Sequence, residues 1–210
     1  MLAQADAPPV LSRDLLQRLS RSARNGDPAP ESTLTWWIRR AVDLGRLQPV
    51  LRALYLNRFR VPPGRLADAV QSMHKDAVVS LNTVLGDAGI LNNPTHAVTT
   101  VVPIDAGHPP PKLGRKSTKA GTVHFYGMPR RILEAGKPED RLEPLDRLEH
   151  PRATPEKALL DWLYLGHSPR SRRTPPALGD MDIELLNRQR LRRLAKAAGT
   201  SDILEQWMAQ

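Results

Sequence analysis

Apolar residues at helical spacing mark two helices near the start of the chain. The first is predicted over Val10–Arg24 and the second over Glu31–Leu44, because apolar side chains in each recur three and four residues apart. Gly45 ends the second helix. The apolar stripes consist of Leu11, Leu15, Leu16 and Leu19 in the first helix, and of Leu34, Trp37, Ile38, Ala41 and Val42 in the second.

Two short β-prone segments follow the second helix. Arg46–Leu51 and Leu54–Asn57 are separated only by Arg52 and Ala53, and this spacing predicts a tight β-hairpin. Two helices followed by a basic hairpin are the outline of a winged helix-turn-helix. The Val-Pro-Pro-Gly sequence at 61–64 is typical of a boundary. We therefore predict a DNA-binding domain over residues 1–64 and a second domain over residues 65–210.

The second domain is predicted to mix helices and strands. Charged segments rich in proline predict loops over Asp105–Gly121 and Gly166–Gly179, and a short helix with a connection over Pro129–Pro151. Helices are predicted over Leu66–Lys75, Val78–Ala88, Thr154–Leu165, Asp182–Ala198 and Thr200–Ala209, and strands over Thr95–Val102 and Thr122–Tyr126. The predicted fold class is α+β: an N-terminal winged helix-turn-helix, then a mixed α/β C-terminal domain with a helical C-terminus.

The positive charge of the chain is concentrated in the predicted DNA-binding domain. The 210 residues include 31 Lys and Arg against 22 Asp and Glu, a net charge of +9. Residues 1–65 hold eleven Arg, no Lys and five acidic residues, which gives +6 of that total. A GC-rich genome would also favour Arg over Lys, but it accounts less well for this asymmetry. A basic surface attracts a polyanionic partner such as nucleic acid.

Outward positions of the second helix and the hairpin supply the candidate DNA-binding residues. A helix of this kind lies in the major groove, where Arg is the commonest reader of guanine. The hairpin turn would contact the backbone or the minor groove, and arginines at its base would hold phosphates. The candidates are Thr33, Thr35, Trp36, Arg39 and Arg40 on the helix, Arg52 in the hairpin turn, and Arg46 and Arg58 at its base.

Two interpretations of Trp36 are open from the sequence. Trp37 already occupies the core-facing position, and adjacent residues on a helix point to different sides. Trp36 is therefore either exposed, facing DNA or a partner, or part of a broader buried stripe. The basic run at 188–196 near the end of the chain is expected to be a solvent-exposed helix face.

Catalytic and metal-binding signatures are not found in the sequence. The chain has no Cys, which excludes disulfides, thiolate metal sites and a Cys nucleophile. Its six His are scattered without metal-ligand spacing, and no nucleophile elbow, Walker loop or dinucleotide-binding glycine motif occurs. We predict that the protein is not an enzyme and binds no cofactor or metal. The lack of a signal sequence and of a long apolar run predicts a cytoplasmic location without a membrane span.

Several segments resemble one family in their sequence and order. Ala153–Leu165, with the sequence ATPEKALLDWLYL, resembles the signature of the AbiEi family of antitoxins. Leu44–Leu56 resembles the wing of that family, Val78–Ile90 its Ser-Leu helix, and Asp182–Ala195 its closing helix. The resemblance covers most of residues 33–205. The motif residues that it marks in the C-terminal domain are Pro155, Glu156, Lys157, Leu160 and Asp161.

The resemblance implies a two-domain regulator from a bacterial type IV toxin–antitoxin pair. The winged helix would bind inverted repeats in its own promoter and repress the operon. It would bind the DNA either as a monomer or as a dimer. The C-terminal domain would counteract a nucleotidyltransferase-type toxin, and a stable complex with the toxin is not assumed. This chain departs from the family at Ala53, where the wing usually has Gly, and in its short segment before Val10.

Two other functions fit the same charge distribution. One is a protein-interaction module whose basic face binds an acidic partner, including the toxin itself. The other is an RNA-binding protein that acts on the nucleic-acid substrate of the toxin. Competition between duplex promoter DNA and RNA would distinguish these possibilities.

Overall fold

The structure is a computed structural model that describes residues 2–24, 26–105, 107–109, 111–145, 149–169, 171 and 173–210. The chain forms two compact units, Met1–Ala69 with Ser117–Gly121 and Val70–Lys116 with Thr122–Gln210. Helices and strands occur together in the chain, so the fold is α+β. Among the described helices, none has the length and apolar character needed to cross a membrane. Several predicted loop residues lie outside the described residues: Asn25, Ala106, Pro110, 146–148, Arg170 and Arg172.

The first unit contains a three-stranded antiparallel sheet and two helices. In chain order its elements are β1 (Val10–Ser12), α1 (Arg13–Ala23), α2 (Glu31–Asp43), β2 (Leu47–Leu51) and β3 (Leu54–Asn57). The strand order is β1-β3-β2, so β3 lies in the centre of the sheet. Val10 pairs with Leu56 on one side of β3, and Leu47 pairs with Asn57 on the other.

The start of α1 differs from the prediction. Val10–Ser12 is a strand and not the first turn of a helix, because these residues pair with β3. Ser12 then caps α1, and its side-chain oxygen accepts a hydrogen bond from the Leu15 amide at 3.1 Å. Leu11 and Leu16 are buried in the core, as the stripe predicted.

The core of the first unit lies between the helices and the sheet. Its buried residues are Leu11, Leu16, Leu34, Ile38, Ala41 and Leu47. Trp37 packs against this cluster and stacks on Phe59, with ring centroids 6.1 Å apart and an interplanar angle of 8°. The inward face of α2 is therefore the face that the apolar spacing predicted.

The residues before β1 are held by hydrogen bonds to residues at and just after the end of β3. The side-chain amide of the buried Asn57 donates to the carbonyl oxygens of Leu2 and Pro8, each at 3.0 Å. The Arg60 guanidinium donates to the carbonyl oxygen of Ala5 at 2.7 Å. These bonds make the N-terminal segment a structural part of the first unit.

A second sheet contains four strands in the order β4-β5-β7-β6. They are β4 (Val78–Val79), β5 (Val98–Ile104), β6 (Gly114–Thr118) and β7 (Gly121–Pro129). Strand β5 is antiparallel to β4 and parallel to β7. Both predicted strands are present here, as β5 and β7, but β6 was predicted to be a loop. This edge strand carries glycine, Arg and Lys with no buried side chain, so it has no apolar alternation to detect.

The second unit contains seven helices among its described residues. They are α3 (Val70–Met73), α4 (Asn82–Asp87), α5 (Arg130–Leu133), α6 (Pro138–Arg141), α7 (Pro155–His167), α8 (Arg188–Ala198) and α9 (Ser201–Met208). Short 3₁₀ turns occupy Leu178–Asp180 and Ile183–Leu185 in this unit, and Leu66–Ala69 at the end of the first unit. Helix α7 contacts α4, α8 and α9, and most of its side chains are buried.

Two helices of the second unit begin later than predicted. The segment predicted as one helix from Val78 starts as β4, and α4 begins only at Asn82. The helix predicted from Asp182 starts at Arg188, because the side chain of Asn187 accepts a hydrogen bond from the Arg190 amide at 3.0 Å.

Candidate nucleic-acid interface

The outer face of α2 presents most of the residues that the sequence predicted there. The inward side chains Leu34, Ile38 and Ala41 fix the rotation of this helix against the core. Since side chains repeat every 3.6 residues, positions 33, 36, 39 and 40 point away from that core. The residues at these four positions are Thr33, Trp36, Arg39 and Arg40, and all of them are exposed.

Trp36 is exposed, which decides between the two interpretations left open by the sequence. Its side chain is 66% exposed, while the neighbouring Trp37 is half-buried against Phe59. Adjacent helix positions are rotated by about 100° from each other, so one tryptophan packs inward while the other faces solvent. A large exposed aromatic side chain beside Arg39 and Arg40 provides a surface on which a flat ring can stack.

Thr35 has a different role from the other predicted contacts on α2. Its hydroxyl donates to the Glu31 carbonyl oxygen at 2.8 Å and accepts from the Arg13 guanidinium at 2.6 Å. Arg13 also pairs with the Glu31 carboxylate at 2.5 Å. The half-buried Thr35 thus connects the first turns of α1 and α2, and its hydroxyl is already engaged within the unit.

The hairpin of β2 and β3 places one arginine at its tip and two at its base. Arg52 is exposed in the turn, beside Ala53, whose φ of 61° lies in the left-handed region. Arg46 is exposed just before β2. Arg58 is half-buried, and its Nε donates to the Gln48 side-chain oxygen at 3.1 Å. The bond to Gln48 holds Arg58 against the hairpin, while Arg46 and Arg52 extend into solvent.

Exposed arginines in the first unit carry positive charge without internal compensation. Among the described residues, Arg39, Arg40, Arg46 and Arg52 form no side-chain hydrogen bond and no ion pair, although the acidic Asp43 is also exposed on α2. Their guanidinium groups therefore keep their full hydrogen-bonding capacity for an external acceptor. A surface of this type favours phosphate oxygens and guanine edges.

The motif at the start of α7 is buried. Pro155 occupies the first turn, and the Thr154 side chain caps the helix. Glu156, Lys157, Leu160 and Asp161 are each at most 3% exposed. This motif therefore forms part of the interior of the second unit and presents little surface to a partner.

The acidic residues of the motif hold α7 against its neighbours. The Ser80 hydroxyl donates to Asp161 at 2.8 Å, and Lys157 forms an ion pair with the same carboxylate. Glu156 accepts from the Asn187 amide at 2.8 Å and pairs with Arg190 at 3.3 Å.

Arginines of α8 also take part in this bonding. Arg193 donates to both oxygens of Asp140, at 2.7 and 3.2 Å, while Arg190 pairs with Glu156. Arg190 is half-buried, so the expectation of a solvent-exposed basic face is wrong for this residue. Arg193 is exposed as expected, although it pairs with Asp140. The sequence signal available for this role was the spacing of three residues between the two arginines, which places both on one side of the helix.

The described residues contain no cluster of three or more His, Asp or Glu side chains suited to a metal ion. His124, Tyr126 and Arg173 line one cavity of the second unit, and the sequence predicts no role for any of them. Arg173 lies in a segment predicted to be a polar loop, where the arginine-rich sequence alone gives no indication of burial.

Solved structures include a distant structural neighbour of this chain. No protein-family model and no curated protein matches the chain. The chain is similar to a solved structure described as "Crystal structure of RV2827C protein from Mycobacterium tuberculosis", with 17% sequence identity and a TM-score of 0.45. The aligned region covers 97% of this chain and 77% of that one.

Proposed function

We propose that the first unit is a winged helix-turn-helix that binds duplex DNA. Helix α2 is the recognition helix in this proposal, and the β2–β3 hairpin is the wing. The order strand, helix, helix, hairpin and the sheet order β1-β3-β2 support it. The observation that carries the proposal is a set of exposed arginines that have no ion pair with any residue the structure describes: Arg39, Arg40, Arg46 and Arg52.

The proposal includes regulation of the chain's own operon. The resemblance of Ala153–Leu165 to AbiEi antitoxins supports a cytoplasmic autorepressor of a type IV toxin–antitoxin pair that binds inverted repeats in its promoter. The second unit counteracts a nucleotidyltransferase-type toxin, without a stable complex being required. Because Glu156, Lys157 and Asp161 are buried, a surface directed at the toxin consists of other residues.

A mobility-shift titration with the upstream DNA tests the assignment of α2. The double variant Arg39→Ala/Arg40→Ala is expected to weaken binding at least tenfold, because each lost guanidinium contact to a base or phosphate costs about 1–3 kcal/mol. The matched control is Arg188→Ala/Arg192→Ala, which removes the same charge from exposed positions of α8. Equal affinities of the two double variants would overturn the recognition-helix assignment.

The exposure of Trp36 favours a second candidate, binding of single-stranded RNA. Aromatic side chains beside arginines stack on unpaired bases, whereas bases in a duplex are already stacked on each other. Competition between duplex promoter DNA and a single-stranded RNA of equal length separates the two. Displacement of the duplex by RNA at equal concentration, lost in Trp36→Ala, would assign this face to RNA.

Growth assays with the neighbouring toxin gene test the role of the second unit. The Arg39→Ala/Arg40→Ala variant is expected to lose repression of a promoter reporter while still restoring growth in the presence of the toxin. Loss of both activities would contradict a division of labour between the units. Co-purification with the toxin at moderate salt, with no promoter shift by the wild type, would instead favour a protein-interaction module.

A further inference from the structure

A cavity of about 720 Å³ lies in the second unit between β7, the end of α7 and the segment that follows α7. This volume is within the range of roughly 300–1,000 Å³ that is usual for small-molecule sites. Most of its wall is apolar or aromatic, and none of its described lining residues is acidic. The lining residues include Leu113, His124, Tyr126, Leu165, Ser168 and Arg173.

Arg173 contributes a cationic side chain to the cavity wall. Its guanidinium carbon lies 4.3 Å from the ring centroid of Trp162 and 4.9 Å from that of Tyr126. One terminal nitrogen donates to the Tyr126 hydroxyl at 2.8 Å. The Nε atom is buried and has no hydrogen-bond partner among the described residues. The aromatic rings thus fix the position of a guanidinium that still has donors to offer.

Two other buried or half-buried arginines of the second unit are neutralised by carboxylates: Arg152 pairs with Asp87 and Glu143, and Arg190 pairs with Glu156. The half-buried Arg141 instead donates to the Leu133 carbonyl oxygen at 3.4 Å. Arg173 has no such ion pair within the described part of the chain, although burial is sufficient to lower the pKa of its guanidinium. An arginine stays charged in proteins, so this positive charge lacks an internal counter-ion.

The surroundings of Arg173 add to the positive potential. Burial lowers the pKa of the His124 imidazole, and the nearby charges of Arg115 and Arg173 lower it further. The Tyr126 hydroxyl lies 3.4 Å from Nδ1 of His124, so both polar groups face the same region as Arg173. A partly enclosed site with cationic and hydrogen-bonding groups but no acid attracts an anion.

We infer that this cavity binds a small organic anion, whose phosphate or carboxylate group is held by Arg173 with Tyr126 and His124. The apolar wall at Leu113 and Leu165 accommodates a flat or apolar body attached to that group. The lining residues all belong to the second unit, and none of them is among the proposed DNA contacts, which belong to the first unit.

Isothermal titration of the full chain with phenyl phosphate and with benzoate tests the site. At least one probe is expected to bind at a single site, and Arg173→Met should weaken that binding at least tenfold. Methionine keeps a long apolar stem against Trp162 while removing the charge. The matched control Arg192→Met, at an exposed position of α8, should bind as the wild type does. The probe that binds more tightly identifies the head group.

A second variant tests the cavity without changing the charge. Ser168→Phe fills part of the space and leaves Arg173 in place, so it should also weaken binding at least tenfold. If circular dichroism shows that Arg173→Met does not fold, Ser168→Phe serves as the test in its place. Absence of binding by both probes, or undiminished binding in a folded Arg173→Met or in Ser168→Phe, would overturn the site. Inorganic phosphate binding as tightly as phenyl phosphate would overturn the role of the apolar wall.

Discussion

Lys157 and Asp161 form an ion pair one helical turn apart on α7, with side chains that are 4% and 1% exposed. The second oxygen of the Asp161 carboxylate accepts a hydrogen bond from Ser80, which follows β4. Burial raises the pKa of Asp161, while the Lys157 charge and the hydrogen bonds from Lys157 and Ser80 act against that rise. Each charge of this pair therefore depends on the other for compensation.

Removing one partner of the pair should destabilise the chain strongly. Lys157→Met leaves a buried carboxylate without its counter-ion, and we expect a loss of about 3–5 kcal/mol in the free energy of unfolding. Lys157→Met/Asp161→Leu should lose less than the sum of the two single variants, because it leaves no unpaired charge. Urea unfolding followed by circular dichroism measures these values. Lys196→Met, at an exposed position, is the control, and additive losses would contradict the coupling.

The Asp140–Arg193 pair should make stability depend on pH in the acid range. The hydrogen bonds from Arg193 hold the pKa of Asp140 below its ordinary value of 3.8. The folded state therefore binds the Asp140 proton less tightly than the unfolded state does. The stabilisation by the Asp140–Arg193 pair is fully present above pH 3.8 and is lost as the pH falls through the folded pKa of Asp140. Arg193→Gln should therefore lower the urea midpoint at neutral pH, and this difference from the wild type should shrink as the pH falls below 3.8 and through the folded pKa of Asp140.

Arg192→Gln is the matched control for the acid-range prediction, since Arg192 is exposed on the same helix and has no ion pair among the described residues. Its urea midpoint should follow that of the wild type at every pH. A difference between the wild type and Arg193→Gln that persisted unchanged into acid would show that Arg193 stabilises α8 by packing and not by its charge.

Replacing Ala53 with glycine should stabilise the first unit. At a φ of 61°, alanine is in the left-handed region, where its Cβ is strained and glycine is not. We expect Ala53→Gly to raise the free energy of unfolding by up to about 1 kcal/mol. Ala120→Gly in the turn before β7 is the control, because Ala120 has no positive φ and should gain nothing. Destabilisation by Ala53→Gly would contradict the observed turn conformation.

Binding of promoter DNA should weaken steeply with salt. If Arg39, Arg40, Arg46 and Arg52 each neutralise one phosphate, the logarithm of the association constant falls with the logarithm of salt concentration at a slope of roughly −3.6 per bound chain. Arg52→Ala should reduce the steepness by roughly 0.9 and weaken all sequences equally, as expected for a backbone contact. An unchanged slope in Arg52→Ala would remove the hairpin tip from the interface.

The elements that the sequence predicted correctly are marked by residues that lie close together in the chain. Helix α2 and the hairpin of β2 and β3 agree with their predicted ranges to within one residue. The apolar spacing of the helix, Gly45 at its end and the two-residue hairpin turn each depend only on neighbouring residues. The start of α7 was equally clear, since Thr154 and Pro155 form a cap and first turn that depend only on neighbouring residues.

The parts that were wrong depend on distant partners. Val10–Ser12 continues the leucine stripe of α1, but it pairs with β3. The residues around Val10 give no information about where β3 lies. In the candidate interface, helix geometry was sufficient to predict that Arg39 and Arg40 are exposed. The hydrogen bond from Arg13 to the Thr35 hydroxyl was not predictable, because it depends on how α1 packs beside α2. Likewise, the burial of Arg173 depends on Tyr126, which lies 47 positions earlier. Contacts of this range are set by tertiary packing, which local propensity does not determine.

The position of β1 in the first sheet has a consequence for synthesis on the ribosome. Val10 pairs with Leu56, and the carbonyl oxygens of Leu2 and Pro8 accept hydrogen bonds from the side chain of Asn57. These early residues therefore lack those partners when they first emerge from the ribosome. Translation proceeds at about 5–20 residues per second, so several seconds separate the two halves of each contact. Until β3 emerges, α1 and α2 cannot cover their apolar stripes against a sheet. The first unit therefore completes its core only after the hairpin has left the exit tunnel.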